Sequence, residues 1–553
     1  MILVEFPKDL LPGNIHIQGQ SPLVLILNFE KKRNMKNIIN SKFLSLIAVL
    51  ITVLGCDKFL EEDLRGSITP DNFFTNDQEA VLAVNGVYRI LLSVDLYDQR
   101  GLDLFLEMGT DTQHSNRNTE SQFYNYTVEP STPEVNLTWI QLYRIVTNTN
   151  EFILNIDGNE NISEDTQNQT IGELLFLRAL AYYNLTNIYG DVPYLRDKLD
   201  PISGANIGRD SKDSIRNDMK ADLEMAKGLL PSSYSGSDKI RPSKYAAAML
   251  KAKFNLIDRE WEETKNECDF IIENSSHRLL DNYADVFDQS DPANQYNDEH
   301  IFVIDFTSDQ GEELSSRRTD MYNPRIRDEP VNRNGDTIVN GVSLKRSSYF
   351  EEILSERNEG MTGFGKAIPM PEISRRENWQ NGDLRYDASI VTEYLGWKLN
   401  FPYYRKNWNL NQQTSLRQNH PENYVIFRLA DVYLMAAEAE NEMNGPGGAY
   451  NYVNAVRERA FEPDQPLAGM TKTSFREAMF NERKFELAAE GHRKIDLIRW
   501  GIFIDVVSSM EQASFNNAAT NVRPHHILWP IPEQQILLNP ALLESDPTNN
   551  GYN

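Results

Sequence analysis

"RLADVYLMAAEAENEMNGPGGAYNYVNAVRERA", Arg428 to Ala460, decides the fold. Leu429, Val432, Ala436, Ala439 and Met443 recur at spacings of three and four, which lays them along one face of a helix. Gly445-Pro446-Gly447-Gly448 must break that helix, and Tyr452, Val453, Val456 and Ala460 then resume the same period. The pattern is an αα-hairpin. Ala436 and Ala439 on the inner stripe permit close approach of its two helices.

The same arrangement recurs outward from this stretch. "RPSKYAAAMLKAKFNLIDREWEETKNECDFIIEN", Arg241 to Asn274, places Tyr245, Ala248, Ala252 and Asn255 on one face, breaks near Asp258, and continues through Trp261, Cys268 and Ile272. "DQEAVLAVNGVYRILL" and "GELLFLRALAYYNLTNIYG" are two more helical blocks, the second with a stripe of Leu174, Leu177, Ala181, Leu185 and Ile188. Helix pairs that repeat in this way stack into a scaffold of the tetratricopeptide kind. The fold class expected is therefore all-α. The exception is the stretch from Asp305 to about Pro421, rich in Asn, Gly, Arg and aromatic residues and without a sustained 3.6 period. It reads as a loop-rich insertion with a few short strands, and "EHIFVIDF", Glu299 to Phe306, is the best strand candidate. Long irregular segments on a rigid scaffold are where binding surfaces sit.

The N-terminal end carries an address. In "SLIAVLITVLGCDKFLEED", Ser45 to Asp63, the apolar run from Phe43 to Gly55 is roughly 13 residues, short of the ~20 that a bilayer-spanning helix needs. Lys36 and Lys42 precede it and Gly55 closes it, the order of a secretory signal. Cys56 follows at once, so Val53-Leu54-Gly55-Cys56 resembles the lipobox of bacterial lipoproteins, which makes Cys56 the expected lipidation site. Residues 1–55 read as a leader plus signal peptide, with translation starting at Met35. Six basic and three acidic residues precede Cys56, leaving 49 Lys and Arg against 78 Asp and Glu in the remainder. That balance argues against a nucleic-acid partner. With Cys56 acylated, Cys268 has no intrachain partner, and it reads as a small buried thiol.

Catalytic and metal motifs are weak. "GMTGFGKA", Gly360 to Ala367, has the glycine and lysine spacing of a phosphate loop, but Ala367 stands where a hydroxyl is needed and Pro369 and Pro371 preclude the following helix. Asp157, Asn159 and Asn161 imitate a calcium loop, yet Ile162 occupies the glycine position. The His525-His526 pair lacks the spacing and further ligands of a zinc site. No cofactor and no metal are expected. With 81 acidic residues, carboxylate pairs suited to glycoside hydrolysis arise by chance, so spacing neither supports nor excludes them. Aromatic density in the insertion stands out: Trp379, Trp397, Tyr403, Tyr404 and Trp408, beside Asn378, Gln380 and Asn407. Two readings fit. The rings form a local core, or they stack on sugar faces while amides bond the hydroxyls. The Tyr403-Tyr404 pair fits a packed strand equally well.

Five stretches resemble the SusD/RagB family of outer-membrane nutrient-binding lipoproteins: "TPDNFFTNDQEAVLAVNGVY", "GELLFLRALAYYNLTNIYGDVPY", "RLADVYLMAAEAENEMN", "NERKFELAAEGHRKIDLIRWG" and "LWPIPEQQILLNPALLESDPTNNGY". They run from Cys56 to the last residue in the family's order. One departure is Glu544-Ser545-Asp546-Pro547, which lengthens the C-terminal loop. The resemblance implies an N-terminal helical region over 56–300 and a C-terminal region over 301–553 that holds the insertion, with four tetratricopeptide-like helix pairs. It implies a surface-exposed outer-membrane lipoprotein that captures oligosaccharide, or in some members peptide, and passes it to a SusC-like TonB-dependent transporter, without chemistry of its own. A surface glycoside hydrolase and a helical-repeat adaptor without a small ligand are the other classes. Ligand contacts are not carried by the matched motifs. The expected ones lie in loops: Gln113, Asn116 and Tyr124 after Asp111, and Trp379, Trp397 and Trp408 in the insertion. Within the motif, Glu490 is expected to pair with Lys494 and Arg493 with Asp496, one helical turn apart.

Overall fold

Side-chain caps set where the helices begin. Asn76 accepts from the Glu79 N–H to open α1 (Asp77–Leu91), Ser163 from Thr166 to open α3 (Glu164–Tyr189), Ser211 from Asp213 to open α4 (Lys212–Leu229), and Ser243 from Tyr245 and Ala246 to open α5 (Lys244–Asp258). Between α1 and α3 lies α2 (Pro133–Ile156), started by Pro133. After α5 come α6 (Trp261–Asn274), α7 (Leu429–Asn444), α8 (Pro446–Glu458), α9 (Lys472–Leu487) and α10 (Arg493–Arg499). The computed structural model describes residues 73–115, 121–196, 206–289, 292–307, 314–323, 337–339, 342–344, 363–394, 397–408, 420–511 and 517–553. Cys56, Met35 and the leader lie outside the described residues.

From α2 to α8 each helix packs on the next, so the chain winds as a stack of helix pairs. This is the all-α tetratricopeptide-like scaffold. The α7–α8 hairpin turns on Gly445 alone, at φ +86°, a value that suits glycine; Pro446, Gly447 and Gly448 already belong to α8. One stripe does not exhaust the burial of these helices. On α7, Ala430, Leu434 and Ala437 meet Val453, Phe475 and Met479, while Leu429, Val432 and Ala436 are also buried, because α6 covers the other side. On α3, Leu175, Phe176, Leu180 and Tyr182 are buried beside the expected stripe. Cys268 is a free, fully buried thiol, and burial pushes its pKa up.

The short strands pair antiparallel, two by two. They are β1 (Gln113–His114) with β5 (Ile368–Pro369), β2 (His300–Ile304) with β8 (Tyr424–Arg428), β3 (Thr337–Val339) with β4 (Val342–Leu344), and β6 (Ile390–Tyr394) with β7 (Trp397–Tyr404). The strand expected in "EHIFVIDF" is β2. It leads into the insertion and β8 leads out, so the pair forms the insertion's neck. Lys366 is followed by β5 rather than by a phosphate-binding helix.

Two buried ion networks join the parts. In the larger, the carboxylates of Asp383, Glu482, Glu486, Glu490 and Glu299 meet the cations of Arg385, Arg428, Arg457, Arg459 and Lys406, five against five. In the smaller, Asp431, Asp496 and Glu438 meet Lys253, Arg483 and Arg499. Spacing of four puts Glu482, Glu486 and Glu490 in line along α9 and its end, where arginines from the insertion and from α8 reach them. The surrounding arginines hold Glu486 far below the usual carboxylate range despite its burial, and bring Glu490 to about 2. The two motif pairs expected from spacing do not form. Glu490 bonds Arg428 and Lys406, and Arg493 clasps Asp111 at 2.7 and 2.8 Å. The helix restarts only at Arg493, so Glu490 and Lys494 are not on one helical face. The lengthened tail is docked as well. Asn549 accepts from Ile531 N–H at 2.7 Å and donates to its carbonyl at 3.0 Å, while Asn550 donates to the carbonyls of Tyr189 and Trp529.

Candidate functional site

The stretch after α1 and the insertion meet at one polar junction. Tyr404 at the end of β7 donates through its hydroxyl to the Thr112 carbonyl at 2.7 Å, and Met370 N–H bonds the same carbonyl at 2.9 Å. The Tyr322 hydroxyl donates to Asp103 Oδ2 at 2.8 Å and lies 3.3 Å from Gln113 Oε1. Arg318 stacks between the rings of Tyr322 and Tyr424, 4.7 and 4.3 Å from their centres, and donates to Asp103 and the Ala489 carbonyl.

Glu107 sits beneath this junction. It accepts from Thr112 Oγ1 at 2.6 Å and from the N–H groups of Ala489 and Arg493 at 3.1 and 3.3 Å. Burial raises its pKa to about 7. Asp98, which receives Arg317 N–H and Ser316 Oγ, is raised by burial to about 6. A cavity of about 20 Å³, room for roughly one water, lies against Arg318, Lys406, Asn407 and Tyr424. We call this junction the base; its hydrogen bonds tie the stretch after α1 to the insertion and to the end of α9.

Four of the expected ligand residues are buried. Trp379, 5% exposed, packs 4.3 Å from Phe485 with Ile373, Ile390 and Tyr404, and its indole N–H donates to the Ile373 carbonyl at 2.7 Å. Trp408 is 5% exposed, Tyr124 1% and Gln113 0%, the last within β1. As they stand these side chains offer no face to a sugar. Trp379 and Tyr404 share one hydrophobic cluster, and Tyr403 and Trp408 are buried as well. Trp397 stands on β7 opposite Tyr394. Asn116 lies outside the described residues, as do 324–336, 345–362 and 409–419 of the insertion. Missed by sequence reasoning were Asp103, Glu107 and Arg318, scattered polar residues whose partners come from distant parts of the chain; no local signal marked them.

Asp157-Asn159-Asn161 forms a satisfied turn, in which Asn159 accepts from Asn161 N–H and donates to the Phe74 and Asn155 carbonyls. His526 accepts from Arg523 N–H and is buried beside Tyr126. Among the described residues no cluster of His, Cys, Asp and Glu could hold a metal ion, and no helix is long and apolar enough to cross a membrane.

Comparison with known proteins places this architecture. Residues 97–256 match a family described as starch-binding and associating with the outer membrane, and residues 372–552 match one described as the SusD family. A SusD-like protein, P25, of Formosa agariphila is 40% identical over 534 residues, 92% of this chain and 98% of the relative. Among solved structures, a laminarin-binding SusD-like protein has a TM-score of 0.68 at 22% identity, covering 84% of this chain and 98% of its own. Surface glycan-binding protein A from Bacteroides thetaiotaomicron, in complex with laminarihexaose, has a TM-score of 0.65 at 19% identity, covering 86% and 100%.

Proposed function

This chain belongs to the SusD/RagB family, and on that premise we propose that it is a cell-surface lipoprotein that captures a glycan and delivers it to a SusC-like TonB-dependent barrel. The observation that carries the reading is the full-length kinship with a SusD-like protein on a scaffold shared with proteins described as binding laminarin or laminarihexaose. Cys56 carries the lipid that tethers the body to the outer membrane, since several acyl chains at ~0.8 kcal/mol per buried methylene hold firmly. The protein works by binding alone, and the transporter and any hydrolase are separate chains.

Within the site the roles divide. Tyr322, Tyr404, Arg318 and Glu107 hold the base, and Gln113, Tyr124, Trp379 and Trp408 pack it. Ligand contact falls to Asn116, Trp397 and the neighbouring loops, with a ring for the sugar face and amides for its hydroxyls.

A glycan array followed by calorimetry on the purified protein tests this. One neutral glycan class is retained, no reducing ends are released, and Trp397→Ala weakens binding by about tenfold, the loss of a stacking contact near 1.4 kcal/mol. A blank glycan array with retained peptides moves the protein to the peptide binders. Release of reducing ends makes it a hydrolase.

A further inference from the structure

A cleft of about 470 Å³ opens between the Glu372–Arg385 stretch of the insertion, the turn from Arg457 to Met470, and the outer face of α9. That is the size of small-molecule sites. Its described lining includes none of the six residues expected to touch ligand. The floor is charged but closed: Asp383, Arg385, Arg457 and Glu482 all pair with one another. A ligand entering here meets no unbalanced floor charge.

The rim is different, because its amides are locked in known directions. Arg457 donates to Gln380 Oε1 at 2.9 Å, which turns the Gln380 NH₂ away from the floor as a donor. Asn378 donates its own NH₂ to the Pro371 carbonyl at 3.0 Å, leaving its oxygen as an acceptor. Asn481, exposed on α9, offers one of each. Glu372 uses Oε1 to receive Glu511 N–H at 2.7 Å, while Oε2 is buried with no partner among the described residues. The Lys484 ammonium is 3.9 Å from Asp111, a carboxylate already clasped by Arg493. Leu467, Met470 and the edge of Phe485 supply an apolar wall.

The lining offers both donors and acceptors, and a group that both gives and takes hydrogen bonds satisfies them. Hydroxyls do so, with C–H faces for the wall. Burial pushes the Lys484 pKa down and the Glu372 pKa up, and the two groups have opposite charge types on one rim. We propose that this cleft is a second carbohydrate site, which takes the end of a neutral sugar chain. It rests on the reading of the protein as a glycan binder.

The test uses Met470 as a local reporter. Purified protein carrying ¹³C-methyl methionine, with the Met470 signal assigned through Met470→Leu, is titrated with glucose, galactose, mannose, xylose and laminarihexaose, and separately with glycine and a dipeptide. At least one neutral sugar shifts Met470 saturably. Asn481→Ala, at an exposed position outside both ion networks, weakens that response about tenfold, and Trp397→Ala leaves it unchanged. If Met470 stays silent to every sugar while the glycan array is positive, the cleft proposal fails and the function stands. If Met470 answers only glycine or the dipeptide, the ligand class is overturned. Should Met470 answer a sugar while array binding is absent, the cleft is supported and the uptake reading is not.

Discussion

Lys494 and Arg428 are both buried cations, with opposite consequences. The Lys494 ammonium is 2% exposed and has no hydrogen-bond partner among the described residues; it rests 3.7 Å from the centre of the Trp529 ring with Tyr126 and Phe503 nearby. Burial holds its pKa well below that of a free lysine, and the ring face only partly replaces its lost water. Lys494→Met keeps the volume and removes the desolvated amine, so stability in urea rises by about 1–3 kcal/mol. Arg428 binds Glu299, Glu486 and Glu490 at once. Arg428→Met strands those carboxylates and lowers stability by about 3–5 kcal/mol. A matched pair of urea titrations checks both, and equal shifts of one sign contradict the argument. Neither role was legible. Spacing placed Lys494 beside Glu490, but the chain turns between them before α10, and one sequence does not reveal a turn that long-range pairs hold. Trp379 teaches the same limit, since an aperiodic segment says which residues are large but not which way they face.

Among elements, helices were the most legible, because one stripe plus a cap or a breaker is a local signal. The α7–α8 hairpin and the break after Asp258 emerged from periodicity and glycine alone. What stayed hidden was burial on a second side of α3 and α7, which depends on neighbours distant in sequence. The C-terminal tail carries the four-residue departure, and it docks through Asn549 and Asn550, both with positive φ. Asparagine tolerates that backbone and alanine does so poorly. Asn549→Ala loses two hydrogen bonds to Ile531 and gains backbone strain, together about 2–3 kcal/mol. Chymotrypsin then cuts after Leu542, which is buried in the parent, well earlier in the variant, as mass spectrometry of timed digests will show. Identical digestion would mean that the tail contributes little to its own anchorage.

For the whole molecule, pH is the most revealing probe. Burial holds His114, His300 and His492 at about 4 and His526 at about 3. The unfolded chain takes up protons at these positions near 6.5, so their contribution is present above that pH and is lost as pH falls toward 4. Glu107, at about 7, and Asp98, at about 6, act the other way; their contribution is full below the ordinary carboxylate range and fades as pH rises through those values. Four imidazoles outweigh two carboxyls. Stability therefore drops by something on the order of 2 kcal/mol between pH 7 and pH 5.5. Glu107→Gln removes an opposing titration and steepens the drop. Urea midpoints that match at the two pH values would refute this balance. At this scale the scaffold was readable from helix pairs, whereas the polar junction was not, because it is assembled from residues more than two hundred positions apart.

The neck formed by β2 and β8 has an evolutionary corollary. The described residues between 305 and 423 are joined to the body across one pair of adjacent strands, and Arg385 within that stretch and Arg428 at the end of β8 rivet it to α9 and its end. Such a cassette tolerates insertion, deletion and exchange of its outer turns while the chassis holds its shape. A lineage can thus vary what this surface presents by rewriting one parenthesis in the chain.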